Sequence, residues 1–354
     1  MIAILADDFS GAAEIAGIAA QRGLRAEVQL HFDPNSPADL IAVDCDSRSL
    51  DGAAAARRVA SIASEVVAAG PEWIYKKTDS VLRGNVRAEI ESILTALGKD
   101  CCLLIPANPS KGRVIIGGRY YINGVPLDQT VFAHDPDHPR RTSQVGELLG
   151  GGDSIVMPDV ASVSELNQHV VSREGDCLSA GGADFFAALM GGEEVSPQRQ
   201  SIERTLLICG SYAGWNSGRA DEMRAQGFEV EVLPEEFYGE ALNDAWIERL
   251  RGRLVVHQRL MLAIGTPAIE RSTTILTESL VVAAAAVARE IPNLRLAIEG
   301  GATALALMQR CGWRRFEVLP EGLVGVGGLR VIGCEAPLLW VKPGSYPWPD
   351  GIFA

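Results

Sequence analysis

The sequence predicts an α/β protein made of two α/β domains with largely parallel sheets. Short β-branched runs alternate with Ala-rich segments of helical period, the pattern of βαβ units. The 354 residues suffice for two domains of ordinary size. The stretch GGEEVSPQRQSIER (191–204) carries charge, Pro and Gly without apolar periodicity and reads as a linker, after which TLLICGSYAG restarts the strand–glycine–helix pattern. The expected domains are therefore 1–195 and 204–354.

In the first half, strand IAILA (2–6) leads to a helix from about Gly11 to Arg22, stopped by Gly23. Strand LIAVD (40–44) precedes an Ala-rich helix at 51–69, stopped by Gly70-Pro71. WIYKK (73–77) passes through a polar loop into a helix at 86–97, and CLLIPA (102–107) follows. RVIIGGRYYINGVPL reads as a hairpin turning at Asn123-Gly124, and 133–142 as a polar, proline-rich loop. In the second half, strands near 205–209, 228–233, 259–264 and 295–299 alternate with helices near 215–226, 241–251, 272–290 and 301–311. The last 40 residues read as short strands and glycine turns, and no internal repeat stands out.

Composition excludes several function classes. Hydrophobic residues make up 47% and charged ones 22%, enough for full cores. A net charge of -13 repels nucleic acid but leaves room for local basic clusters that hold a small anion. The seven cysteines (Cys45, Cys101, Cys102, Cys177, Cys209, Cys311, Cys334) show neither CxxC nor zinc spacing, and adjacent Cys101-Cys102 suit buried strand positions. A reducing cytoplasm is the expected compartment. MIAILADDFS meets acids too early for a signal peptide, and LVVAAAAVA (280–288) is too short to span a bilayer and reads as a buried helix. The five histidines form no ligand spacing; His134, beside Asp135 in the polar loop, is the one to watch. No GxxxxGK[ST], GxSxG or HExxH occurs.

Ligands of open α/β sheets sit outside the carboxyl ends of strands. In the first half those exits are Asp7-Asp8, Asp44 to Arg48, Lys76 to Asn85, and Pro106 to Pro109; on parallel neighbouring strands they would converge. Between Lys76 and Arg87 stand four basic residues against one acid. Lys77 and Arg83 offer charge-assisted donors for a carboxylate or phosphate, and Ser80 with the amides near Gly84-Asn85 adds more. Asp79 would accept from hydroxyls, so the mixture suits a small polyhydroxy acid. The plainer reading is an exposed basic helix start. Asp8 or Ser10 could equally be a helix cap, although a carboxylate there could also accept a hydroxyl proton. In the second half the exits are small: Gly210-Ser211, Gly265-Thr266 and Glu299-Gly300-Gly301-Ala302-Thr303, with Lys342-Pro-Gly344-Ser345 later. Such junctions admit phosphates to backbone amides, or simply make turns.

LADDFSGAAEIAG, DCDSRS, YKKTDSVLRGN and PANPSKGRVIIGGRYYINGVPL resemble, in this order, the N-terminal motifs of the four-carbon acid sugar kinases, across most of residues 1–135. The resemblance implies a sugar-acid domain followed by a nucleotide domain, with the active site in the cleft between them. It implies ATP and Mg²⁺, and transfer of the γ-phosphate to the terminal hydroxyl of threonate, erythronate or 3-oxo-tetronate. Its substrate-side motifs fall on Asp7, Asp8, Ser47, Arg48, Lys77, Asp79, Ser80, Arg83 and Gly84, with Asp8 or Asp79 taking the hydroxyl proton. Its nucleotide-side motifs fall on Gly210, Ser211, Gly300, Gly301, Thr303, Lys342 and Gly344. Ala302 stands where the family has aspartate, and the KPGSYPWP tail keeps only a lysine and a glycine of the family's pattern. The charge, cysteines and apolar runs described above give the expectation of a cytoplasmic protein with no nucleic-acid or membrane partner, and the resemblance with common symmetry makes a homodimer reasonable. Two other readings stay open: a non-catalytic sugar-acid-binding homologue with a degraded nucleotide site, and a kinase for another small hydroxy acid.

Overall fold

The computed structural model describes residues 1–135, 137–170, 176–192, 204–266, 272–289, 291–320, 325–333, 335–344 and 346–353. The expected linker therefore lies almost wholly outside the described residues, as do Cys334 and Ser345. The chain divides into two compact units, Met1–Val195 and Ser196–Ala354.

Unit 1 runs β1 (Ile2–Ala6), α1 (Phe9–Ala20), β2 (Ala26–Gln29), β3 (Leu40–Asp44), α2 (Gly52–Ala68), β4 (Trp73–Lys77), α3 (Val86–Leu97), β5 (Cys102–Ile105), β6 (Arg113–Ile116), β7 (Arg119–Ile122), β8 (Val125–Pro126), α4 (Val145–Leu149), β9 (Ile155–Val156), α5 (Val163–Gln168), β10 (Leu178–Gly181) and α6 (Ala183–Met190). Its main sheet has the order β2-β3-β1-β4-β10-β5-β9, and every pair is parallel. The chain fills one side of β1 and then crosses to the other at β4. That reversal opens a crevice at the carboxyl ends of these strands.

Alternation decides which side chains face which layer. Leu5, Ile41, Val43, Ile74 and Leu104 point to the face covered by α2 and α3, where Val59, Val66, Ile90 and Ile93 complete a dry core. Burial of each such side chain contributes roughly 1.5–3 kcal/mol. On the other face Trp73 and Tyr75 pack against Phe185 and Phe186 of α6. The hairpin proves to be a three-stranded antiparallel sheet, β6-β7-β8. Asn123-Gly124 forms the expected tight turn, and Gly117-Gly118 forms a second one; all four residues have positive φ.

Two strands, β2 (AEVQ) and β10 (LSAG), carry too little β-branched character to be read from sequence. β10 pairs with both β4 and β5, so the exit of β5 lies one strand further from β1 than neighbouring strands would put it. The same pairing corrects the cysteine reading. Leu178 stands opposite Cys102, so the residues just before them are also opposed, and Cys101 is disulfide-bonded to Cys177 with Cα atoms 4.7 Å apart. Cys102 is buried as expected, but Cys101 is not a free strand thiol.

Unit 2 runs β11 (Arg204–Cys209), α7 (Tyr212–Asn216), α8 (Arg219–Ala225), β12 (Glu229–Val232), α9 (Asp244–His257), β13 (Arg259–Ala263), α10 (Thr273–Ala288), β14 (Leu294–Glu299), α11 (Gly301–Cys311), β15 (Arg315–Leu319), β16 (Gly327–Val331) and β17 (Leu338–Lys342). The sheet order is β12-β13-β11-β14-β17-β16-β15, antiparallel only where β16 meets its neighbours. The single helix expected near 215–226 is two, broken at Gly218 with φ 87°. The opening strands of the two units have the same spatial order, a likeness of topology that no sequence repeat announces. Among the described residues no helix is long and apolar enough to cross a membrane.

The cross-link closes a span of 76 residues. Cys177→Ser is expected to lower the unfolding free energy by roughly 2–4 kcal/mol, read from denaturant titration with and without dithiothreitol. Identical midpoints for wild type under both conditions would show that the bond carries no stability.

Candidate functional site

The exits of β3, β1 and β4 bring together acids and arginines that are far apart in sequence. Asp8 caps α1: its Oδ1 accepts from Gly11 N at 2.9 Å and its Oδ2 from Ser10 Oγ at 2.6 Å. The capping reading thus holds, yet Asp8 Oδ1 is also 2.9 Å from Arg48 Nη2. Arg48 Nε donates to Asp7 Oδ2 at 2.7 Å, and Nη2 lies 3.8 Å from Asp79 Oδ1. Backbone bonds from Ser47 N and Arg48 N to Asp7 O hold the β3 exit over β1. Gly84, with φ 80°, packs on Arg48 so closely that a Cβ there would stand 3.2 Å from Arg48 Cα.

The loop after β4 is organised by Asp79. Its Oδ2 accepts from Val81 N, Arg83 N and Arg83 Nε, each at 3.1 Å, and its Oδ1 from Arg83 Nη2 at 2.7 Å. This wrapping forces Leu82 to φ 60°, a conformation costing about 1–2 kcal/mol for a residue with a Cβ, while its side chain enters the core. Arg83 Nη1 reaches Asp135 Oδ2 at 3.1 Å, and its guanidinium lies 5.6 Å from the Phe132 ring. Of the adjacent pair in the polar loop, Asp135 rather than His134 meets Arg83.

The remaining residues expected on the substrate side are held nearby. Lys77 Nζ donates to Thr78 O at 2.9 Å and lies 3.6 Å from Glu14 Oε2. Ser80 Oγ accepts from Arg113 Nη1. Ser47 is fully buried and donates to Glu89, whose other oxygen is 2.5 Å from the buried Lys76. Arg87 pairs with Glu91 one helical turn on. Every base of the run from Lys76 to Arg87 therefore meets an acid, most of them on other elements. Glu14 and Glu89 escaped the sequence reading. The available signal was an acid inside an otherwise apolar helix face, which cannot stay unpaired when buried. Asp7 Oδ1, Glu14 Oε1 and Thr78 Oγ1 are buried with no hydrogen-bond partner among the described residues.

In unit 2 the strand exits are packed tightly on themselves. A Cβ at Gly210 would overlap Thr303 Oγ1, and one at Gly344 would overlap Ser211 Oγ. Gly300, with φ 107°, leads into Gly301 and α11 without a side-chain cap, leaving first-turn amides as donors for an anion. Glu299, at the end of β14, is fully buried; it accepts from Arg219 Nε and Trp348 Nε1 at 3.0 Å each and lies 3.4 Å from Lys342 Nζ. Lys342 also donates to Tyr346 O at 2.6 Å, so it faces inward. Burial lowers its ammonium to about 8 against the pull of Glu299. Sequence reasoning missed Arg219 and gave Glu299 no partner. Among the described residues no group of three or more His, Cys, Asp or Glu side chains could hold a metal ion.

Electrostatics separates the carboxylates. Burial pushes Asp79 upward, but Arg83 and Arg48 outweigh it and hold the group well below the usual range. Asp7 is lowered likewise, its burial overcome by Arg48, Lys76 and Lys77. Asp44 goes the other way: burial raises it well above the usual value, offset only in part by the Asp46 N–H, while Asp8 repels its charge. A carboxyl raised on folding adds stability below its unfolded pKa and loses it as pH rises through the folded one. Asp44→Asn keeps the acceptor for Asp46 N and removes this loss. Its melting temperature relative to wild type should therefore rise between pH 5 and pH 8; a constant difference would show that Asp44 titrates normally.

Comparison with known proteins fits this geometry. A family model described as a sugar-binding N-terminal domain matches residues 2–180. A D-threonate kinase of Salmonella typhimurium is 34% identical over 160 residues, covering 44% of this chain and 38% of that protein. A D-erythronate kinase of Heliobacterium modesticaldum is 31% identical over 188 residues, covering 51% and 43%. A 3-oxo-tetronate kinase of Brucella melitensis is 32% identical over 160 residues, covering 42% and 36%. The chain thus spans about four tenths of the length of these relatives. The crystal structure of Haemophilus influenzae protein HI1011 superposes with a TM-score of 0.68 at 19% identity, covering 99% of this chain and 100% of that one. A Salmonella typhimurium LT2 structure gives 0.76 at 17%, covering 98% and 96%. These two likenesses show the fold alone. With more than half of its residues matched, the chain belongs to the four-carbon acid sugar kinase family through its sugar-binding N-terminal domain.

Proposed function

We propose that the chain is an ATP-dependent kinase that phosphorylates the terminal hydroxyl of a four-carbon sugar acid: threonate, erythronate or 3-oxo-tetronate. The observation that carries this reading is the convergence of Asp7, Asp8, Arg48, Asp79 and Arg83 at the exits of three adjacent strands. Guanidinium groups suit the ligand's carboxylate and aspartates its hydroxyls. The names of the aligned relatives support the same class of substrate.

ATP, when bound, would supply its γ-phosphoryl group and leave as ADP, and Mg²⁺ would be held chiefly by phosphate oxygens and water. The chain's part is to fix the acid, aim its hydroxyl in line and accept the proton released as the new P–O bond forms. Of the two candidates for that proton we favour Asp8. Asp79 accepts four hydrogen bonds and is held well below the usual carboxylate range, which makes it a poor base. Asp79 instead orients Arg83. In unit 2 the uncapped start of α11 at Gly301, Ala302 and Thr303 suits a phosphate, with Gly210, Ser211 and Gly344 packed beside it.

Two observations favour the binding-only reading. Lys342 is turned inward onto Glu299 and the carbonyls of its own tail, and Ala302 supplies no carboxylate. Calorimetric titration with ATP–Mg²⁺ in the presence of each acid separates the readings. Affinity for ATP that rises with one acid supports the kinase; acid binding without ATP binding supports the degraded site.

Arg83→Ala is expected to weaken sugar-acid binding by roughly 2–4 kcal/mol and leave nucleotide binding nearly unchanged. Equal loss of both ligands in a folded variant would contradict the division of labour. Asp8→Asn should depress kcat far more than Asp79→Asn at saturating acid; the reverse order, by steady-state kinetics, would exchange their roles.

A further inference from the structure

We propose that Asp135 is a specificity-determining residue that occupies, on Arg83, the place taken by a ligand's carboxylate, and that it is released when the ligand binds. The proposal rests on reading this site as one for a hydroxy acid.

Each nitrogen of the Arg83 guanidinium meets a carboxylate. Nε and Nη2 face Asp79, and Nη1 faces Asp135 at 3.1 Å. Arg48 is held at Nε by Asp7 and at Nη2 by Asp8. Asp135 holds the one nitrogen that Asp79 leaves open, so it is the group that a ligand's carboxylate arriving at Nη1 would replace. Asp79 cannot yield: its Oδ2 also accepts Val81 N and Arg83 N, and withdrawing it would leave both N–H groups without that acceptor. Asp135 can. Its bonds to Asp137 N and His138 N both use Oδ1, so Oδ2 is free to leave Arg83 without undoing its own turn. Its side chain is 15% exposed, against 7% for Asp79.

The polar loop does not depend on this ion pair to stay in place. Arg140 Nη1 donates to Leu82 O at 2.8 Å, and Arg140 N donates to Phe132 O at 2.8 Å. Phe132 also lies 5.6 Å from both the Arg83 and Arg113 guanidinium groups. Exchange at Arg83 thus swaps one carboxylate for another on a loop held by other contacts. The consequence is selectivity. A carboxylate ligand restores what Asp135 gives up, whereas an uncharged polyol of the same length cannot. The tethered competitor also lowers the apparent affinity of every carboxylate ligand by the fraction of chains in which it occupies Arg83.

The test is calorimetric titration of the full chain, wild type and Asp135→Asn, with three probes: glycolate, the four-carbon acids, and erythritol as the uncharged control. Asparagine keeps Oδ1 for His138 N and removes the charge. We expect it to bind glycolate and the acids about 10-fold tighter, with erythritol unchanged. Asp135→Ser, which retains a short acceptor, replaces it if the asparagine variant does not fold. Unchanged or weaker carboxylate binding, equal tightening of erythritol, or no glycolate binding to either protein overturns the proposal. Sugar-acid binding to wild type without tightening in the variant rejects Asp135 alone and leaves the kinase reading intact. Tightened glycolate with no four-carbon acid bound sustains the exchange and rejects the substrate class.

Discussion

Two mostly buried guanidinium groups, Arg48 and Arg83, govern the layout of unit 1. A charge withdrawn from water is tolerated only with well-placed counter-charges. Asp7, Asp8, Asp79 and Asp135 provide them from three separate stretches of chain. Each must arrive from its own strand exit or loop, and the backbone bends to allow it. Asp46 and Leu82 take positive φ, and Gly84 must lack a Cβ to lie against Arg48. The parallel order β3-β1-β4 makes this affordable, because it lines up three exits at one edge.

Unit 2 solves the inverse problem at the equivalent edge. There a carboxylate, Glu299, is fully buried and is answered by Arg219, Lys342 and Trp348. The polarity of the hub differs, and so does its reach. In unit 1 the charges stand partly open along a crevice at the strand exits, whereas in unit 2 the tail's Tyr346 carbonyl and Trp348 ring close over the lysine. A like strand order is thus used once for an ionic cluster able to trade partners and once for a sealed one.

Structural and functional readings of a residue need not compete. Asp8 is a helix cap and also a ligand of Arg48, because its Oδ1 accepts from both Gly11 N and Arg48 Nη2. Lys76 and Arg87, by contrast, are explained entirely by Glu89 and Glu91. The basic run after β4 is therefore divided: its middle faces the crevice and its ends serve packing and a surface helix turn.

The sequence by itself determined the α/β class, the strand–loop–helix positions of Asp7, Asp8 and the stretch Lys77 to Gly84, and the Asn123-Gly124 turn. These follow from local causes: apolar period, glycine conformations and polar residues placed directly after strands. It determined the residue types of the site but not their pairing. Tertiary structure alone decided that β10, four residues of weak propensity, slips between β4 and β5, that Cys101 therefore meets Cys177, and that Asp135 rather than His134 reaches Arg83. It also decided that Lys342 looks inward. Each of these is a contact between residues from about 40 to just over 100 positions apart, set by strand order and by the demand that buried charge be neutralised. No local pattern encodes such a distance.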